Sequence, residues 1–172
     1  MSRIAIRDKA MEIALGEVGV REQGGNNRGP QVEMYLAAVD LPPGQPWCCA
    51  GVVWCYREAT IRAGGGLMMP LPRTGKCVRL WRRTPGVWKS NVPSIGAIYI
   101  HLDDPDDPNS SGHCGIVTGL TERALSGVEF NTNAVGSHNG DRVRINLRRL
   151  SYVNAGYIDV GTEGPLESPD VT

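Results

Sequence analysis

The sequence lacks both an excess of charge of one sign and any long apolar run. Its 18 lysines and arginines balance 18 aspartates and glutamates, so the formal net charge is zero with the histidines neutral. Proteins that bind a polyanion concentrate positive charge, and the balance therefore argues against a nucleic-acid-binding protein. No stretch approaches the roughly 18 apolar residues that crossing a bilayer requires, so membrane insertion is not expected.

A secretory leader is also missing from the first residues. Charged residues at positions 3, 7, 8 and 9 interrupt the segment before an apolar run of useful length forms. A signal peptide instead places an apolar stretch of about 7–15 residues behind its positive charges. We expect synthesis in the cytoplasm, and work outside it would require other transport machinery or a leader outside this sequence.

The cysteines form no recognisable framework. They stand at positions 48, 49, 55, 77 and 114, an odd set without a C-x-x-C pair. Neither a full disulfide framework nor a structural zinc site is predicted from this spacing. The sequence therefore predicts no metal site and no cofactor, and at least one thiol is expected to be free.

What the sequence does have is enough material for one folded domain. Its 172 residues are 41% hydrophobic and 21% charged, which is typical of globular proteins. The 22 glycines and 12 prolines predict many turns. We predict a single domain over residues 1–160 and a flexible tail or linker start over residues 161–172.

Helices are predicted in the first half of the chain. Apolar residues at three- and four-residue spacing mark a helix over residues 3–18, and Pro30 suits the first turn of a second helix. The prolines of the next segment exclude a helix there, so a third helix begins directly after Trp47. A short fourth helix is expected from Cys77 onward.

Short β-rich runs follow the helices, separated by clusters of Gly, Asn, Asp and Ser. They span residues 95–101, 113–118, 128–131, 142–147 and 157–160. Helices first and strands afterwards is the order of an α+β protein. We expect the N-terminal helices to pack on a C-terminal antiparallel sheet of about five to six strands.

Three kinds of residue could form a catalytic site. Cys48 and Cys49 fall in the first turn of a predicted helix, where the macrodipole and unpaired backbone N–H groups lower the pKa of a thiol. Among the three histidines, His113 lies in a predicted strand between glycines, whereas His101, at the end of a strand beside the acidic segment 103–107, and His138, in a turn-rich segment, are expected to be solvated. Taken alone, each of these candidates is more often a structural residue than a catalytic one.

An orienting group is the third requirement. Strand alternation over residues 128–131 sends Glu129 and Asn131 to the same face, and a carboxylate or amide commonly accompanies a Cys–His pair. A polar outer face on an edge strand is the alternative interpretation.

Three motifs resemble one family. Residues 46–55, P-W-C-C-A-G-V-V-W-C, resemble the nucleophile segment of the CHAP family, whose members often read P-W-C-A-A-F-V-x-W-C. Residues 112–117, G-H-C-G-I-V, are similar to the family's G-H-V-G-I-V strand, and E-F-N at residues 129–131 matches its E-x-N. Residues 17–22 with Asn26 and Asn27, and residues 95–100, also follow the pattern of phage and bacterial relatives. The resemblance therefore extends over roughly residues 10–160.

The resemblance implies a papain-like CHAP/NlpC-P60 fold and a cysteine-dependent peptidoglycan hydrolase. In that family Cys48 would be the nucleophile and His113 the base. Glu129 would orient His113, and Asn131 would assist the orientation or help stabilise the oxyanion. No cofactor is implied.

The chain departs from the family at the nucleophile. Cys49 stands where the family has a small residue, and Gly51 stands at its common phenylalanine. Keeping Trp47 and Trp54 in register assigns the nucleophile to Cys48. The other register starts at Cys49 and resembles the C-S-G-F-V segment of NlpC/P60 peptidases, but it moves Trp54 off its position.

Two segments are candidates for binding a hard cation. Some CHAP lysins bind calcium in an acidic loop before the nucleophile, but residues 41–47 contain no acid. The acidic segment 103–107 could hold a hard cation. A solvated hairpin loop is the expected role of that segment.

Several choices stay open at this stage. N-acetylmuramoyl-L-alanine amidase and stem or cross-link peptide endopeptidase would use the same residues. A phage endolysin, a tail-associated hydrolase and a secreted antibacterial effector are all compatible, as is an inactive wall-binding or structural module of a phage tail or secretion machinery. A thiol-rich protein of redox or zinc type is less favoured by the cysteine spacing.

Bacterial peptidoglycan is the expected partner. We expect a monomer that acts on the wall, in the periplasm or at the cell exterior, after export or release by other machinery. The sequence identifies no immunity or holin-type partner.

Overall fold

The first half of the chain is helical, as predicted. The computed structural model describes residues 2–64, 68–134 and 140–162. Its α-helices are α1 (Arg3–Gly16), α2 (Pro30–Ala37), α3 (Cys48–Arg62) and α4 (Cys77–Arg83).

The residues that predicted these helices occupy the expected positions in the structure. The spaced apolar residues of α1 are buried: Ile6, Ala10, Ile13 and Ala14. Pro30 occupies the first turn of α2, where its missing N–H costs no hydrogen bond. The segment between α2 and α3 is not helical, so α3 begins directly after Trp47.

The second half of the chain forms one antiparallel sheet of six strands. They are β1 (Lys89–Ser90), β2 (Ile98–Leu102), β3 (Gly112–Leu120), β4 (Ala124–Thr132), β5 (Arg142–Arg149) and β6 (Gly156–Ile158). Their spatial order is β1-β6-β2-β3-β4-β5, and every neighbouring pair is antiparallel. The predicted α+β architecture is confirmed.

Two strand predictions were wrong in detail. The strand β1 was missed, because its two residues leave no alternating pattern to detect. The strand predicted from residue 95 begins at Ile98, because Gly96 has a φ of +84° and turns the chain just before it. The Gly96 carbonyl accepts a hydrogen bond from Tyr56 Oη at 3.2 Å, which attaches this turn to α3.

The main core lies between the helices and the sheet. Helix α3 contacts α1 and α2 as well as β3 and β4. Around its first turn, the ring of Phe130 on β4 meets Tyr35 edge-on at 5.3 Å and Trp47 at 6.3 Å between centroids. Because aromatic rings bury large areas, this group fixes the position at which α3 starts.

The first two residues of the predicted tail are attached to the domain. Gly161 N–H donates to Asp159 at 2.9 Å, and Thr162 donates to the Val87 carbonyl at 3.2 Å. The rest of the predicted tail, residues 163–172, lies outside the described residues. Within the described residues, no helix has the length and apolar character needed to span a membrane.

Candidate active site

Cys48 is the first residue of α3 and lies at the base of a cleft. The thiol is 5% exposed, and the cleft that it lines has a volume of about 800 Å³. Asn26, Gln45, Cys77 and Gly112 line the same cleft. A thiol at the start of a helix, next to a cleft that can hold a substrate, has the position that a nucleophile requires.

Cys49 has different surroundings. It is fully buried, and its thiol donates to the Thr74 carbonyl at 3.3 Å. It does not line the cleft that contains Cys48. A hydrogen bond with Cys114 lowers the pKa of Cys49, but a hydrogen bond with Cys77 and burial outweigh it, so that this pKa lies well above its usual range. The geometry therefore favours Cys48 over Cys49 as the nucleophile, which is the assignment that keeps Trp47 and Trp54 in register.

His113 is buried beside Glu129. Its Nε2 donates to Glu129 Oε2 at 3.0 Å, and both side chains are completely inaccessible. Gly115, two residues after His113, provides the space for this contact. A Cβ on Gly115 would meet Tyr99 Cε1 at 2.8 Å and Glu129 Cγ at 3.1 Å. The prediction that glycine next to His113 leaves room for another group is confirmed at Gly115.

Glu129 is the centre of a buried hydrogen-bond network. Its carboxylate accepts five further hydrogen bonds, from Tyr99 Oη at 2.6 Å, Thr132 Oγ1 at 3.0 Å, Asn146 Nδ2 at 2.8 Å, and Arg148 Nε and Nη2 at 2.7 and 2.6 Å. Burial alone would raise the pKa of Glu129, but the hydrogen bonds from His113 and Arg148 hold it well below its usual range. The carboxylate is therefore ionised.

The sequence interpretation missed four members of this network: Tyr99, Thr132, Asn146 and Arg148. A signal was present for two of them. Asn146 and Arg148 are two residues apart on β5, so alternation places them on the same face. The hairpin partner β4 carries Glu129 on that face, because Glu129 is opposite Arg144 in the register.

Asn131 does not join Glu129, and the prediction that the two side chains project together was wrong. The register of β4 shifts between Glu129 and Thr132, and Asn131 has a φ of +53°. This bulge breaks the alternation and brings Thr132 next to Glu129 instead. The Asn131 amide donates to Asn27 Oδ1 and to the Gly140 carbonyl, both at 2.9 Å.

Cys48 and His113 affect each other's protonation. Hydrogen bonds from Cys114 and Cys77 hold the pKa of Cys48 well below its usual range, against the effect of burial, and His113 lowers it further. Burial alone would lower the pKa of His113, but hydrogen bonds to Cys48 and Glu129 raise it to about 9. The arrangement supports a thiolate–imidazolium pair.

His101 has different surroundings from those predicted. It was expected at the end of a strand and in solvent, and its place in a strand is confirmed, because it lies in β2. Its expected solvation was wrong, because Tyr152, in the segment after β5, stacks on it with the ring centroids 4.1 Å apart, and the Tyr152 carbonyl lies 2.7 Å from its Nδ1. His138 lies outside the described residues.

Basic side chains outnumber acidic ones in the cleft lining. Lys76, Arg79 and Arg83 line it, and so does Arg73, which forms a 2.7 Å ion pair with Asp40. Asp103 also lines the cleft. The acidic segment 103–107 forms part of the loop between β2 and β3. There, Asp104 and Asp107 accept hydrogen bonds from backbone N–H groups two residues further along, at 3.0 and 2.8 Å.

Comparisons with known proteins give little further information. No family model matches the chain, and no curated protein matches it. Among solved structures, the chain is similar to "The crystal structure of Ly7917", with 16% sequence identity and a TM-score of 0.47. The similarity covers 88% of this chain and 60% of that one, so the chain spans less than two thirds of that protein's length. A similarity at this level does not assign a family.

Proposed function

We propose that this protein is a cysteine-dependent hydrolase of the papain-like CHAP type that cleaves an amide bond in bacterial peptidoglycan. The observation that carries the proposal is the grouping of Cys48, at the start of α3, with His113, which hydrogen-bonds both to Cys48 and to the buried, ionised Glu129. A nucleophile, a base and a group that orients the base are the parts that thiol-based acyl transfer requires.

The first half of the reaction forms an acyl-enzyme. Cys48 Sγ, as the thiolate, attacks the carbonyl carbon of the amide, and the electron pair moves onto the oxygen. The backbone N–H of Cys48, at the unpaired start of the helix, can stabilise this oxyanion. When the tetrahedral intermediate collapses, the C–N bond breaks and His113 gives its proton to the leaving amine.

The second half releases the product. His113, now neutral, takes a proton from a water molecule that attacks the thioester. The C–S bond breaks, which restores the thiolate and the imidazolium and frees a carboxylic acid, and the acid gives its proton to solvent. Glu129 stabilises the charged imidazole in both halves, because its hydrogen bond to Nε2 is buried and charged.

The cleft supports a peptide as the substrate. The stem peptides of peptidoglycan carry free carboxylates, and three basic side chains line the cleft that Cys48 also lines: Lys76, Arg79 and Arg83. Charges of opposite sign favour the approach of such a substrate. This electrostatic match agrees with either an amidase or an endopeptidase.

Mass spectrometry of digested sacculi tests the proposal. Purified sacculi incubated with the protein should release soluble fragments, and the Cys48→Ala variant should release none. An amidase creates a free lactyl carboxyl group on muramic acid, whereas an endopeptidase creates a new amine terminus within the peptide. Binding of sacculi without release by the folded, reduced protein would contradict the proposal and favour an inactive wall-binding module.

A further inference from the structure

Three thiols outside the proposed catalytic pair converge on one point. Cys49 lies in the first turn of α3, Cys77 is the first residue of α4, and Cys114 is in β3. Their Sγ atoms all lie within 4.8 Å of one another, and all three residues are buried. The Sγ of Cys48 lies 4.0 Å from the Sγ of Cys77, so a fourth thiol adjoins the group.

The spacing of these sulfurs matches a tetrahedral metal site. A zinc–sulfur bond of about 2.3 Å places the sulfurs of a tetrahedral site about 3.8 Å apart. The 4.0 Å between Cys48 and Cys77 is close to that value, and the sulfurs of Cys49, Cys77 and Cys114 lie within 4.8 Å of one another. Thiols from three separate elements are thus close enough together to share one ion.

The position of the thiol group also offers an entry path and a favourable potential. Cys48 and Cys77 line the cleft, so an ion can reach them from solvent. Lys76, Arg79 and Arg83 line the same cleft, and their positive charges would partly offset the negative charge of several thiolates. Cys55 offers an internal comparison, because it is buried on the same helix but is not part of the group.

We propose that Cys49, Cys77 and Cys114 form a binding site for a thiophilic divalent ion of the zinc class, which Cys48 completes as the fourth ligand. Each ligand binds as a thiolate, so the four thiols release their protons to solvent when the ion binds. If the proposed function holds, the ion and the substrate compete for Cys48, and the bound ion inhibits hydrolysis reversibly.

Metal titration of the reduced protein tests the site without reference to activity. Under a phosphine reductant, Co²⁺ should produce the visible bands of tetrahedral thiolate ligation at one equivalent of ion, and Zn²⁺ should displace them. Removing a residue that only supports a metal ligand weakens metal binding by up to about 100-fold, so removing a ligand itself should weaken binding by at least about that factor. We therefore expect that loss in Cys77→Ser and Cys114→Ser, while Cys55→Ser binds like the unaltered protein.

Two results would overturn the site. One is the absence of the thiolate bands in the unaltered protein, a measurement that does not depend on whether any variant folds. The other is an equal affinity of folded Cys77→Ser and Cys55→Ser.

Lysis of sacculi at graded Zn²⁺ concentrations separates this inference from the proposed function. Inhibition that follows occupancy, and its reversal by a chelator, would support both. Thiolate bands on addition of Co²⁺, from a protein that never lyses sacculi in reducing, metal-free buffer, would support the site and contradict the hydrolase. Lysis that persists when the site is filled would overturn Cys48 as the fourth ligand.

Discussion

Arg148 binds the carboxylate of Glu129 through two hydrogen bonds, from Nε at 2.7 Å and from Nη2 at 2.6 Å. The same carboxylate accepts the hydrogen bond from His113 Nε2 at 3.0 Å. Arg148 therefore fixes the position and the charge of the group that orients the proposed catalytic base. It is a positioning residue, since it acts on His113 through Glu129.

Replacing Arg148 by methionine should destabilise the protein and lower its activity. The change leaves the buried carboxylate of Glu129 without its bidentate partner, and breaking a buried ion pair in this way costs about 3–5 kcal/mol. Urea denaturation should show this loss in the free energy of unfolding. The matched control is Arg149→Met on the exposed neighbouring residue, which should change stability by less than about 0.5 kcal/mol. Equal losses in the two variants would contradict the assigned role of Arg148.

The low pKa of Glu129 predicts how stability changes in acid. Hydrogen bonds from His113, Arg148 and Tyr99 hold this pKa well below its ordinary value of 4.5, although burial opposes them. A group whose folded pKa is depressed stabilises the protein above the unfolded pKa, and this contribution is lost as the pH falls towards the folded pKa. The network should therefore contribute fully at neutral pH and progressively less below pH 4.5.

Comparison with Glu129→Gln isolates this effect from that of the other carboxyl groups. The difference in unfolding free energy between the unaltered protein and the variant should shrink as the pH falls below 4.5, by up to about 1.4 kcal/mol per pH unit. Urea titrations at several pH values measure it. Glu122→Gln, in an exposed turn, should show no such trend. A difference that grows in acid would contradict the ionised state of Glu129.

The sequence predicted the local parts of this site better than its assembly. The start of α3 followed from the prolines before it, and the position of Cys48 followed from the helix. The role of Asn131 could not be predicted, because it depends on a bulge that alternation alone does not reveal. Tyr99 and Arg148 reach Glu129 from two other strands, and only the register of the sheet brings them there.

The two adjacent cysteines should differ in their effect on activity. Cys48 lines the cleft and interacts with His113, whereas Cys49 is fully buried and donates to a backbone carbonyl. In metal-free buffer, Cys48→Ala should abolish the release of wall fragments, and Cys49→Ala should keep most of it. Circular dichroism of both variants controls for folding. Activity retained by Cys48→Ala and lost in Cys49→Ala would assign the nucleophile to the other register.

Gly51 and Phe130 lie against each other between α3 and β4. Gly51 stands where the CHAP family, which the sequence resembles, commonly has phenylalanine, and a Cβ at this position would lie 2.2 Å from Cδ1 of Phe130. The ring from β4 thus fills the space beside α3, where it also contacts Tyr35 and Trp47. A sequence pattern cannot show that an aromatic ring is supplied by a strand far along the chain.

The contact between Gly51 and Phe130 predicts an unusual response to Gly→Ala replacement. Alanine normally stabilises a helix relative to glycine by about 1 kcal/mol, and Gly16→Ala on α1, with no atom within 4 Å of the added Cβ, provides the matched control. Gly51→Ala should instead destabilise the protein by about 1–3 kcal/mol, because the added methyl group overpacks the core. The double variant Gly51→Ala/Phe130→Leu should recover part of this loss, since leucine is smaller and can rotate away from the methyl group. Thermal and urea denaturation of the unaltered protein, Gly51→Ala, Phe130→Leu and the double variant measure the coupling, and additive effects of the two substitutions would show that the Phe130 ring does not account for the glycine.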